Sequence, residues 1–320
     1  MNKELSQLLD KVNEGLIGLA LPEGPANLYD PIKYILNIGG KRVRPMLAML
    51  AYQLYKKDVD KVVLPILALE VFHNFTLVHD DIMDEAPLRR GNETVHTKWD
   101  SNIAILSGDV MMVKAYDLLS NAPADVLPTL LKKFNKCAQE VCEGQQKDMD
   151  FENLPSVTVE EYLDMIRQKT AVLLGFSLEM GAILAGAPTE ESDKLYEIGV
   201  NLGLAFQLQD DLLDLYGGDS FGKQIGGDII NKKKSILITK ALELSNDKST
   251  LLNAYNSTSN QPSNKVETIS NLFNQLGIQK EVKKMVSEFE KIGNVGLTTI
   301  SSANQNLLIS FINQLKTRIK

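Results

Sequence analysis

Residues 71–90 read VFHNFTLVHDDIMDEAPLRR. An apolar helical run ends in three carboxylates, Asp80, Asp81 and Asp84, and Arg89 and Arg90 follow at once. Positions four apart on a helix lie one above the other, so Asp80 and Asp84 share a face with Asp81 beside them. Carboxylates held that close repel one another unless a cation sits between them. Oxygen ligands without cysteine or clustered histidine suit Mg²⁺ or a similar hard ion. Working outward, residues 60–84 are apolar on nearly every side (Val62, Ile66, Leu67, Leu69, Val71, Phe72). A helix of that kind belongs in the core of a helical bundle.

A second copy of the acidic pattern, Asp210, Asp211 and Asp214, stands in FQLQDDLLD. One such motif can be a solvated acidic helix end. Two of them, each inside an apolar segment where unpaired charge is costly, point to cation binding. The chain has 320 residues, 44% of them apolar and 23% charged, an ordinary globular composition. A net charge of −7 argues against a general nucleic-acid surface, so any anion site must be built from local Lys and Arg clusters. Cys137 and Cys142 show neither metal-site spacing nor a disulfide framework, which fits a reducing cytoplasm. The amphipathic start, MNKELSQLLDKVNEGL, lacks the apolar core of a secretion signal. The most apolar long run, 171–188, contains Glu179 and breaks at Pro188, so no membrane span is expected.

Helices are expected at 3–20, 31–38, 60–84, 102–120, 126–147, 158–186 and 189–216, with amphipathic helices over 265–316. The segment GGKRVRP places Lys41, Arg42 and Arg44 at a helix entry with Pro45 in its first turn, a ready anion site. The helix over 158–186 is expected to break near Lys169, Thr170 and Gly175. Residues 85–100, 148–157 and part of 245–264 read as loops, and 217–227, with five glycines, reads as a mobile loop carrying Lys223. Lys232, Lys233 and Lys234 follow it. Strand alternation is missing, so the expected fold is all-α, one large bundle of ten or more helices around a central substrate cavity, residues 1–320 forming a single domain. Metals between two carboxylate sets on neighbouring helices would hold a polyanion such as a diphosphate, and a metal-bound diphosphate is a good leaving group.

In this order GGKRVRP, DDIMDEAPLRRG, GQQKD, the Lys169–Thr170 pair, FQLQDDLLD and GKQIGGDIINKKKS make the chain resemble the trans-isoprenyl diphosphate synthases, the short-chain polyprenyl synthetases. The resemblance covers about residues 30–240. It implies the isoprenoid-synthase fold and a Mg²⁺-dependent prenyltransferase that joins isopentenyl diphosphate to allylic diphosphates. Carried over position by position, it implies that Asp80, Asp81, Asp84, Asp210, Asp211 and Asp214 hold three Mg²⁺. Arg89, Lys169, Thr170, Gln207, Lys223 and Lys233 would contact the allylic diphosphate, with Lys234 an alternative to Lys233. Lys41, Arg44, His73 and Arg90 would bind isopentenyl diphosphate. Catalysis falls to Asp80, Asp84, Lys169, Asp210 and Lys223. The resemblance also implies a homodimer, with helices 102–120 and 126–147 as candidate interface.

Phe75, five residues before Asp80, and Phe72, one turn deeper, are the expected limits on chain length. An aromatic at the first position resembles short-chain members, so geranylgeranyl diphosphate is the expected product and farnesyl diphosphate the alternative. Three other readings compete. A di-iron bundle would use Glu70–His73 and Glu93–His96, but the second pair lies in an Arg/Gly loop. A class I terpene cyclase usually pairs its acidic motif with an Asn/Ser/Glu motif. A non-catalytic helical subunit tends to have lost the acidic motifs that are intact here.

Overall fold

The computed structural model describes residues 2–217, 225–257, 262–300 and 305–317. Lys223 lies outside the described residues. The described chain is helical almost throughout and divides into two compact units.

The first unit comprises residues 1–135, 176–195 and 301–308. Its helices are α1 (Lys3–Ile17), α2 (Ala26–Asn37), α3 (Val43–Gln53), α4 (Val63–Met83), α5 (Val95–Lys98), α6 (Ser101–Leu119) and the opening turns of α7 (Leu127–Glu152). The core helix is α4, surrounded by α1, α2, α3 and α6. Leu67, Leu69 and Phe72 on it are fully buried. The stretch Val59–Met83 is long and apolar enough to cross a membrane, but most of it is taken up inside the protein. Its first residues form a 3₁₀ turn, Val59–Val62, before the α-helix begins at Val63 with Pro65 in the opening turn. That placement costs Pro65 no hydrogen bond.

The second unit comprises residues 136–175, 196–300 and 309–320. It contains the rest of α7, then α8 (Val159–Ile166), a π-helical turn (Arg167–Ala171), the first residues of α9 (Val172–Leu184), whose remainder lies in the first unit with the opening of α10 (Thr189–Tyr216), the rest of α10, α11 (Gly227–Ile230) and α12 (Ile236–Leu244). After these come α13 (Lys248–Asn256), α14 (Pro262–Gln275), α15 (Ile278–Thr298) and α16 (Gln305–Thr317). Thr158 starts α8 with a reciprocal capping box to Glu161. Leu208 and Leu212 pack in a core with Ile236, Tyr255, Phe273 and Ile278.

The expected break near Lys169 is the π-helical turn. Two expectations need correction. Residues 85–100 are not plain loop: β1 (Leu88–Arg89) and β2 (Asn92–Glu93) pair antiparallel there, and α5 follows. Two-residue strands are too short to show alternation. Helix α7 runs on to Glu152, since nothing in GQQKDMDFE breaks it. The Ser/Asn-rich stretch after 245 is non-helical at 245–247, as expected of a loop, and then holds α13, started by Asp247, whose side chain accepts from the Thr250 amide.

Candidate active site

The first acidic motif occupies the last turn of α4. Asp84 is the C-cap, its amide donating to the Asp80 carbonyl at 2.9 Å. A helix C-terminus carries negative partial charge, so carboxylates there add repulsion instead of relieving it. The structure supplies one cation from the hairpin. Arg89 donates to Asp81 Oδ1 through Nε at 2.9 Å and Nη2 at 2.5 Å, and its Nη2 lies 3.6 Å from Asp80 Oδ2. Asp81 is 1% exposed. Burial raises its pKa, and the Arg89 contact works against that rise. The other oxygen of Asp81, Oδ2, is buried without a hydrogen-bond partner.

The hairpin also separates the two arginines. Arg90 and Gly91 form its two-residue tip, both at positive φ, 53° and 76°. Arg89 in the strand turns to the aspartates, while Arg90 turns back and donates to the Gly39 carbonyl. Its guanidinium lies so close to Gly40 that a Cβ there would stand 2.7 Å from Nη1. The paired glycines of GGKRVRP therefore make room for Arg90.

Arg42, expected beside Lys41 and Arg44 at the anion-binding helix entry, is instead locked in the interior at φ 48°. It donates to Glu70 Oε1 at 2.8 Å, the Leu36 carbonyl at 2.7 Å and Asn13 Oδ1 at 3.2 Å. It anchors the loop that presents Lys41, which is exposed, and Arg44. His73 titrates well below its ordinary range, first through burial, then through the charges of Arg44, Arg90, Arg89 and Arg42. A neutral imidazole among four guanidiniums is a setting for an anion.

Aromatic side chains back the same helix. Phe72 lies tilted against Phe75 with ring centroids 5.6 Å apart and meets Phe134 edge-on at 5.1 Å. Phe134 in turn contacts Tyr116 and Phe176, at 5.1 and 5.9 Å. Phe75 is partly exposed and packs against His79 at 4.8 Å. No sequence signal marked Phe134, Tyr116 or Phe176, because they come from separate helices.

The second acidic motif, in the second unit, lies in the last two turns of α10. Asp211 is 5% exposed and its oxygens are taken by donors. Oδ2 accepts from Tyr162 Oη at 2.5 Å and the Ile236 amide at 3.0 Å, and Oδ1 from Gln207 Nε2 at 3.2 Å. Burial nonetheless pushes its pKa up to about 6. Asp214 Oδ2 accepts from the Asp228 amide at 3.1 Å. The side chain of Asp228 joins the cluster. Burial, then Asp211, Asp214 and Asp210, push its pKa up to about 8. The sequence showed neither Tyr162 nor Asp228 as part of this site, since each reaches it only through the fold.

The π-helical turn carries the Lys169–Thr170 pair. Lys169 Nζ bonds Asp148 Oδ2 at 2.6 Å, and Thr170 Oγ1 lies 3.5 Å from Gln207 Oε1. Gly144 explains part of GQQKD: a Cβ there would stand 2.2 Å from the Lys169 amide nitrogen, so only glycine lets α7 come this close. Lys233 Nζ bonds Glu152 Oε1 at 2.7 Å. Among the described residues no three His, Cys, Asp or Glu side chains form a ready metal cage. The donor set still fits Mg²⁺, which uses few protein carboxylates and completes its shell with water and phosphate oxygens. Both motifs sit at helix C-terminal ends, and Asp228 is driven to keep a proton by its burial and then by its carboxylate neighbours.

Residues 25–273 match the family model for polyprenyl synthetase. The chain is 41% identical to a geranylgeranyl pyrophosphate synthase of Geoglobus acetivorans, over 72% of this chain and 73% of that one. It is 43% identical to a short chain isoprenyl diphosphate synthase of Methanocaldococcus jannaschii, over 74% and 72%. A solved geranylgeranyl pyrophosphate synthase superposes with a TM-score of 0.92 at 44% identity, covering 98% of each chain. The chain belongs to the polyprenyl synthetase family and is a trans-isoprenyl diphosphate synthase.

Proposed function

We propose that this prenyltransferase carries out the Mg²⁺-dependent head-to-tail (1′-4) condensation of isopentenyl diphosphate with dimethylallyl, geranyl and farnesyl diphosphates. Geranylgeranyl diphosphate is the end product, and farnesyl diphosphate is the alternative. The observation that carries this reading is the pair of acidic motifs, each at a helix C-terminus, where the helix dipole adds to the carboxylates' repulsion and a bound cation would relieve it. The names of the similar proteins support the product.

Asp80, Asp81, Asp84, Asp210, Asp211 and Asp214 would hold three Mg²⁺, with the buried Asp81 and Asp211 also bracing the same motifs. Bound there, the metals would neutralise the allylic diphosphate as its C–O bond breaks. Arg89, Lys169, Thr170, Gln207, Lys223 and Lys233 hold that diphosphate. Lys41, Arg44, Arg90 and neutral His73 hold isopentenyl diphosphate. Its double bond attacks the allylic carbon, a proton leaves, and the departing diphosphate accepts it. Orientation and exclusion of water protect the allylic cation. Phe75 limits chain growth, with Phe72 behind it.

Residues 1–320 act as one catalytic domain in the cytoplasm, associated two-fold. Exposed Ile105, Leu106 and Val113 on α6 support an interface on that helix. The deciding experiment incubates purified protein with labelled isopentenyl diphosphate and each allylic primer, with and without Mg²⁺, and chromatographs the dephosphorylated products. A Mg²⁺-dependent twenty-carbon alcohol is expected. Absence of product with every allylic primer overturns the reading. Phe75→Ala should lengthen the products, and unchanged products remove Phe75 as the limit.

A further inference from the structure

The segment between Asp228 and Lys233 is short and strained. Helix α11 has four residues, and Lys232 after it holds φ 59°, a region that non-glycine residues rarely occupy. The turn is closed by the Lys233 amide donating to the Asp228 carbonyl at 2.9 Å. A strained turn persists only where its surroundings fix it. Two buried side chains from the C-terminal helices do so. Tyr255 on α13, 1% exposed, donates its hydroxyl to the Lys233 carbonyl at 2.6 Å, and the same oxygen lies 3.3 Å from the Asp228 carbonyl. One phenol thus spans both ends of the turn. Lys265 on α14, 7% exposed, donates Nζ to the Ile229 carbonyl at 2.7 Å. Its ammonium stands 5.4 Å from the Tyr255 ring centroid, so the two groups brace each other.

A buried ammonium satisfied by a carbonyl and a ring is an expensive way to stabilise a fold. An apolar side chain would pack more cheaply, but could not hold a carbonyl. We infer that Tyr255 and Lys265 are positioning residues: by clamping three main-chain carbonyls they fix where Lys233 presents its ammonium to a metal-bound diphosphate. This rests on the reading of Lys233 as a diphosphate ligand. Neither residue touches substrate; each acts through the 228–233 turn.

The test measures the affinity of the wild-type protein, with Mg²⁺, for inorganic pyrophosphate by titration calorimetry. Tyr255→Phe, Lys233→Ala and the double variant follow. Tyr255→Phe should weaken binding about fivefold in the wild-type background, the scale of one hydrogen bond. It should add less than about twofold once Lys233 is alanine, because the residue through which it acts is gone. Lys265→Met should weaken binding as Tyr255→Phe does, and Lys265→Arg, which keeps a donor, should restore it. Equal factors in both Lys233 backgrounds, or wild-type affinity in both Tyr255→Phe and Lys265→Met, overturn the inference. The condensation assay separates this from the proposed reaction. Pyrophosphate binding with the expected coupling but no prenyl transfer upholds the positioning role and removes the reaction. A wild-type protein that does not bind Mg²⁺-pyrophosphate overturns both.

Discussion

The two acidic motifs have the same sequence pattern and the same place at a helix end, yet each solves its charge problem differently. At the first, a cation from the same chain is brought in: Arg89 lies against both Asp80 and Asp81. At the second, hydrogen-bond donors and a retained proton do the work. Tyr162, Gln207 and the Ile236 amide occupy Asp211, and Asp228 is driven to stay protonated. The first arrangement is exchangeable, because a guanidinium can turn from a carboxylate to a phosphate. The second is fixed, because its donors are buried main-chain and side-chain groups. A motif is therefore not one functional unit. In both copies the middle aspartate is the buried one, and its flanking partners are more open.

The largest expected effect tests the shared part of the comparison. Asp80→Asn and Asp210→Asn should each lower kcat by about 10²–10³-fold, the scale of losing a group that stabilises developing charge, with Tm nearly unchanged. A variant that loses Tm but keeps kcat would move that aspartate into the bracing class. Next come the arginines. Arg89→Ala should raise KM for the allylic substrate about tenfold or more, and Arg90→Ala should do so for isopentenyl diphosphate. Equal effects on both substrates would contradict the divergence at the hairpin tip.

Titration distinguishes the motifs further. The pKa of Asp228 is raised from 3.8 to about 8, so the folded state holds a proton that the unfolded chain releases. A raised folded value gives stability that is fully present below the unfolded value and is lost as pH rises through the folded one. Asp211, raised to about 6, acts in the same direction over a narrower range. The Tm of the metal-free protein should therefore fall as pH rises from about 4 to about 8. Asp228→Asn should flatten that slope, and an unchanged slope would show that the proton is not held there. The smallest effect is Tyr162→Phe, which removes one donor from Asp211. About 1 kcal/mol of stability should go, read by denaturant midpoint at unchanged m. Loss of several kcal/mol would make Tyr162 a keystone of the core instead of a brace.

Much of the chemistry was legible because it is linear. Carboxylates four apart, glycines before a basic helix entry and apolar runs are written in consecutive residues. The all-α class followed from the same periodicity. The bracing was not legible, because it is made across long separations. Arg42 meets Glu70, Tyr162 meets Asp211 and Lys265 meets the Ile229 carbonyl through the fold alone. Arg42 shows the difficulty best. Among three basic residues in four positions, nothing local says that the middle one is buried. The hairpin escaped for a different reason, since two-residue strands show no period. The stretch after 245, which the sequence marks only as loop and amphipathic helix, supplies Tyr255 and Lys265 to the turn before Lys233.

The π-helical turn at Arg167–Ala171 has a consequence for how this region can be edited. Its two neighbours lie along α10: Tyr162 of α8 meets Asp211, and Ala171 packs on Gly203. In a regular helix, residues nine apart point to faces about 180° apart. A π turn holds one residue more than an α turn, and so takes back about 100° of that rotation. The turn is thus equivalent to a single inserted amino acid. Removing one residue, Gln168 for example, would let the helix close up as α without turning α8 away from α9. The packing along α10 would survive, while Lys169 and Thr170 would lose the wide loop that presents them. A one-residue deletion is therefore a cleaner way to silence this pair than substituting either member: helicity and Tm should stay near wild type while prenyl transfer stops.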